Sequence, residues 1–157
     1  MDRDRFKTTI IGIIFDPKTR MVLVGKNKGN DNFSFLEGNL TYDQELDVKL
    51  KQITQEKTGY KIHNLGAVYI DNCLDKKTES KCKEKLEIYF LCEATEGQEE
   101  PGEDVEELKW IKPSEVEQTL GITLPTRLKE YIMNIMDITK ADLKELKDLI
   151  KGTTDGK

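Results

Sequence analysis

One histidine, three unevenly spaced cysteines and one tryptophan leave little for the chemistry those side chains usually carry. Cys73, Cys82 and Cys92 form no C-x-x-C pair, and His63 alone cannot complete a zinc site with them. The cysteines read as reduced structural thiols. Cys73 and Cys82 flank a polar loop and could face each other across a hairpin, a pairing that a reducing compartment disfavours. His63 reads as surface structure and not as a catalytic base. Long apolar runs are missing too: Ile10 to Phe15 is too short for a signal segment or a membrane span, and it ends in Asp16-Pro17. No basic stripe with interleaved aromatics occurs. With 25 basic and 30 acidic residues the net charge of −5 favours solubility and disfavours nucleic acid as a partner. These absences predict a soluble, cytoplasmic protein that uses neither a membrane nor nucleic acid.

What is present is the pattern of one mixed domain, long enough to bury a core without disulfides or metal. Phe6 to Phe15 is rich in Ile and Thr and predicts a strand buried on both faces along part of its length. Asp16 to Thr19 predicts a turn into a second strand over Met21 to Gly25, and Lys26 to Asn32 a polar loop. Leu46, Leu50 and Ile53 recur at helical spacing, which predicts an amphipathic helix from Asp43 to Lys57 closed at Gly59. Strands are expected over Leu65 to Asp71, Leu86 to Ala94 and Val105 to Ile111, with a lysine-rich loop between the first two. An acidic loop is expected from Thr95 to Asp104. Ser114 and Glu117 have capping-box spacing, and Pro125 suits the first position of a helix through Leu128, Ile132 and Ile135. Thr139 and Asp142 then look like caps of one more amphipathic helix, with Leu143, Leu146 and Ile150 on its apolar face. It would dock on the domain or on a second copy of it, ahead of a frayed tail from Gly152.

Residues 38 to 59 read GNLTYDQELDVKLKQITQEKTG and are followed by Tyr60. Gly38, Gln44, Gln52, Ile53, Glu56, Lys57 and Gly59 fall at the spacing of the Nudix box, and the stretch resembles that box with both glycines and Glu56 in place. Gln52 stands where the pattern has arginine, and Gln44, Ile53 and Lys57 stand where it has glutamate. The segment from Glu106 to Pro113, with an acid three residues before Trp110, resembles the same family. Together the likeness covers roughly residues 6 to 136. It implies an α/β (α+β) fold of the Nudix type, an α/β/α sandwich with a mixed sheet, over residues 1–137, with an added C-terminal helix and tail over 138–157.

The resemblance to the Nudix (MutT-like) hydrolases implies hydrolysis of a nucleoside diphosphate linked to another group, with Mg²⁺ or Mn²⁺ held by carboxylates on the box helix. Three glutamates at 53, 56 and 57 would carry three negative charges, whereas Ile53, Glu56 and Lys57 carry none net. Only Glu56 keeps a ligand place and a catalytic one. Glu37 replaces a glycine whose carbonyl often coordinates metal in relatives; its main chain could still serve, and its side chain would add a carboxylate or repel phosphates. Glu45 and the acids of the 96–104 loop are further candidates, or else solvated surface. Gln52 can hydrogen-bond Glu56 four residues on. Lys57 can pair with Glu56, reach a phosphate directly, or simply sit at a helix C-terminus where the dipole favours it. Phe33, Phe35, Tyr69 and Tyr89 could stack on a base or fill the core.

Two functions therefore stand side by side. One is a hydrolase that is weak or acts on an atypical substrate, with a weakly bound metal. The other is an inactive module that needs no metal and binds a nucleotide, a phosphorylated metabolite or a protein partner. A homodimer is compatible with either.

Overall fold

A computed structural model describes residues 6–41, 43–73 and 84–135. The C-terminal helix and tail, and Cys82 with the question of its pairing to Cys73, lie outside these residues.

Strand β1, Phe6–Phe15, is the spine of a six-stranded sheet ordered β4-β5-β1-β2-β6, with β3 also paired to β1. The others are β2 Val22–Asn27, β3 Leu36–Asn39, β4 Tyr60–Cys73, β5 Glu84–Gly97 and β6 Val105–Ile111. β1 runs parallel to β5 and antiparallel to β2 and β3, so the sheet is mixed. The β-branched residues of β1 suit a pleated, enclosed strand. Alternation sends Ile10 and Ile14 into one core, and Ile11, Ile13 and Phe15 into the other.

Helix α1, Leu46–Thr58, covers the first face and contributes Leu50 and Ile53. The second face is covered by α2, Val116–Leu120, and α3, Thr126–Asn134, through Val116, Leu120, Leu128 and Ile132. Each aliphatic side chain so enclosed contributes about 1.5–3 kcal/mol relative to exposure. Helix on sheet on helix is the expected sandwich. No helix among the described residues is long and apolar enough to cross a membrane.

Several boundaries differ from expectation for local reasons. Helix α1 starts at Leu46 and not at Asp43. The Asp43 carboxylate is engaged by the Thr41 side chain and by its own main chain, which hold it below the usual carboxylate range. Such local bonding competes with helix formation. Strand β2 runs on to Asn27 because β6 pairs along its length. Strands β4 and β5 extend past their apolar stretches, with Tyr60 opposite Gly97 and Lys61 opposite Glu96, and their charges meet at 3.2 Å. On the β4 arm only Tyr60 and Ile62 turn inward, two positions that are too few to mark a strand, and the β5 arm from Thr95 to Gly97 is exposed. Ser114 and Glu117 do not form a capping box. The Lys112 amide donates to Glu115 at 2.9 Å, while Glu117 accepts from the Leu124 amide at 2.9 Å and pairs with Lys129 at 2.7 Å.

Candidate functional site

The segment from Gly38 to Gly59 forms a strand, a loop and a helix that folds back over the strand. Leu40 N donates to Thr8 O at 2.8 Å, and Gly38 lies opposite Ile10. In an antiparallel ladder the bonded positions recur every second residue. The main chain of Gly38 therefore faces β1, and the carbonyl of Glu37 faces the open edge of β3. Alternation also sets the side chains: Leu36 belongs to the core under α1, so the Glu37 side chain lies on the face opposite α1.

Ile53 is 7% exposed and lies directly on Gly38. A methyl at Gly38 would collide with Ile53 Cδ1, so the absence of a side chain there lets α1 approach β3. One turn on, Gln52 Nε2 donates to Glu56 Oε1 at 3.0 Å on the exposed side of the helix. Lys57, half-buried in the last turn, reaches across and donates from Nζ to the Glu37 carbonyl at 2.8 Å. Of the three roles open to this lysine, the structure adds a fourth, a tie between the helix and the strand edge.

Gly59 closes α1 in the left-handed region at φ 81°, with its amide bonded to Gln55 O at 2.9 Å. The acidic loop then docks on the helix end: Glu100 N donates to Thr58 O at 2.8 Å and Gly102 N to Lys57 O at 3.0 Å. Two carbonyls that a helix C-terminus leaves unpaired are thereby satisfied. Thr54 and Thr58, both buried, bond back to Leu50 O at 2.9 Å and to Thr54 O. At the other end of α1, Glu45 occupies the N-cap in an extended conformation without a side-chain cap bond. Glu56 lies eleven positions further on, about 16 Å along a helix axis, so Glu45 is not beside Glu56. The side-chain oxygen of Gln44 is buried and has no donor among the described residues.

Comparison with solved structures matches this architecture. A UDP-X diphosphatase aligns over 83% of this chain and 63% of its own, at 13% identity and a TM-score of 0.62. An ADP-ribose pyrophosphatase from Streptococcus suis 89-1591 aligns over 85% and 93%, at 15% identity and 0.59. A Nudix hydrolase from Nitrosomonas europaea aligns over 83% and 88%, at 12% identity and 0.59. The chain has the Nudix fold. The chain spans less than two thirds of the UDP-X diphosphatase it matches. No family model matches the sequence, and no curated protein does.

The Nudix fold implies a divalent cation at the box, and the donors in this chain do not fit one. The Glu37 carbonyl is taken by an ammonium, Ile53 offers hydrocarbon, and Glu56 is the single box carboxylate left on the helix end. Among the described residues no three His, Cys, Asp or Glu side chains gather into a possible metal site. A hard dication that dehydrates reluctantly gains little from one carboxylate beside a fixed positive charge.

Elsewhere in the Nudix fold, the aromatic residues that could stack on a base are packed together on the α2 and α3 face. Phe35 is buried and meets Tyr89 edge to face at 6.4 Å between centroids, and Tyr69 meets Tyr89 at 5.9 Å. Tyr60 and Trp110 form another such pair at 5.7 Å beside a shallow cavity of about 260 Å³, which none of the box's charged residues lines. Glu93 was not legible as special: it ends a run of apolar residues in β5, is 1% exposed, and lies between Phe15 of β1 and His63 of β4. His63 is thus a residue of β4. The Lys57 bond to Glu37 was also missed, because its partner is a main-chain atom twenty residues away.

Proposed function

We propose that this protein is a Nudix-fold module that binds a small molecule containing a diphosphate, a nucleotide or a phosphorylated metabolite, without metal-assisted hydrolysis of it. The observation that carries this reading is the burial of Ile53 against Gly38. The box helix gives the core the side chain that it would have to give a cation, and the frame of the box is kept as packing. Two structural neighbours are named for diphosphate cleavage, one on UDP-X and one on ADP-ribose, which supports a nucleoside diphosphate as the ligand class. Fold alone does not carry their activity over.

A second reading, slow metal-assisted hydrolysis with ligands from outside the box, is favoured by the docking of the acidic 98–102 loop on the end of α1. Release of phosphate or nucleotide from nucleoside triphosphates, UDP-sugars and ADP-ribose with Mg²⁺ or Mn²⁺ separates the two. The expected result is calorimetric binding of ADP or ADP-ribose without metal-dependent turnover, and gain of turnover in Ile53→Glu with Lys57→Glu. Turnover by wild type that Glu56→Gln abolishes would establish the second reading instead.

A further inference from the structure

The bond between Lys57 and Glu37 does more than tie α1 to β3. It puts a positive charge on an outward-facing carbonyl at the strand edge, beside Glu56, in the last turn of a helix whose dipole favours a cation there. An ammonium has three N–H donors and the Glu37 carbonyl takes one, so donors remain for an anion. The geometry is fixed from both sides. Ile53 on Gly38 holds the helix against the strand, and the loop amides of Glu100 and Gly102 hold the carbonyls of Thr58 and Lys57. The lysine stem therefore starts from a backbone held on both sides, and the residue is half-buried.

We propose that the Lys57 ammonium is a tethered replacement for a divalent cation: it keeps metal ions off the Glu37 carbonyl and itself supplies the charge that holds the diphosphate of the ligand. This rests on the binding reading above and makes that binding independent of metal. The anion's oxygens would accept the remaining Lys57 donors, a charge-assisted contact that is short and directional. Gln52 complements this arrangement by donating to Glu56, which gives the neighbouring carboxylate a partner that is not a metal.

The test uses the full chain and two probes, Mn²⁺ followed by its EPR signal and inorganic pyrophosphate followed by calorimetry. Wild type is expected to bind pyrophosphate in EDTA and to take up no stoichiometric Mn²⁺. Lys57→Met should weaken pyrophosphate by about tenfold or more, the scale of one charge-assisted bond. Lys57→Glu should gain Mn²⁺ binding. Lys57→Gln, which keeps a donor for Glu37 without the charge, guards against a folding defect: it should melt like wild type and still bind pyrophosphate weakly. Stoichiometric Mn²⁺ on wild type, pyrophosphate binding only when Mg²⁺ is added, or equal pyrophosphate affinity in wild type and Lys57→Gln would each overturn the inference. If wild type binds ADP or ADP-ribose but not pyrophosphate, the tethered cation fails and the binding module stands. If it binds none of the three in either condition, both fail.

Discussion

Ile53 Cγ1 lies 3.0 Å from the point where a Cβ on Gly38 would sit, and Cδ1 lies closer still. Rotation about χ2 can move Cδ1, but Cγ1 is placed by χ1, at which Ile is stiff, so the contact is relieved only in part. Gly38→Ala should therefore cost about 1–3 kcal/mol, the usual range for overpacking. In an Ile53→Ala background the same change should cost less, with a coupling of about 0.5–3 kcal/mol in a urea-unfolding double-mutant cycle. Additive costs would mean that Gly38 is required for something other than this contact.

Gly59 carries two constraints at once. Its φ of 81° disfavours any Cβ, by about 1–2 kcal/mol, and a Cβ there would also strike the carbonyl of Gln98. Gly59→Ala should push the acidic loop off the helix end. Hydrogen exchange then becomes faster at the amides of Glu100 and Gly102, which donate to Thr58 and Lys57. Unchanged protection at those amides would show that the loop docks without help from Gly59.

The pair of Glu117 with Lys129, and the Leu124 amide with it, hold the Glu117 carboxylate below its ordinary value of 4.5. A lowered folded-state value means that its stabilisation is present above pH 4.5 and lost as pH falls through the folded value. Glu117→Gln should melt lower than wild type at pH 7, by a small margin because the pair is accessible to solvent, and the gap should close in acid. A gap that stays the same size as the pH is lowered would assign the effect to packing.

Cys92 is buried, and burial, with the Asp47 carboxylate adding to it, pushes its thiol up to about 12. The reactive thiolate is then absent at neutral pH. In a protein with Cys73→Ser and Cys82→Ser, iodoacetamide at pH 8 should leave the folded chain unmodified and alkylate it in denaturant. The sign for stability follows: the raised value contributes below the ordinary 9.0 and is lost as pH rises through 12. Rapid native-state alkylation would mean that the β5 core opens readily.

Much of this architecture could be read directly because period and burial agree. The isoleucines of β1 announce a strand enclosed on both faces, and Leu46, Leu50 and Ile53 announce the stripe of α1. The hydrogen bond from Gln52 to Glu56 follows from four-residue spacing on a helix and is present as expected. Boundaries were legible only where apolar pattern marked them. The outer arms of β4 and β5 pair because each has the other beside it, and neither Lys61 nor Glu96 advertises that in sequence.

The sequence by itself determined the sandwich, the frame of the box and the loss of its charge, since these depend on residue type and spacing along one chain. Tertiary structure alone decided what the changed residues do. Whether Ile53 faces solvent or Gly38, and whether Lys57 meets a neighbouring carboxylate or the carbonyl of Glu37, depends on how closely a helix lies over a strand edge. That distance is set by packing between segments far apart in the chain, and local propensity carries no record of it.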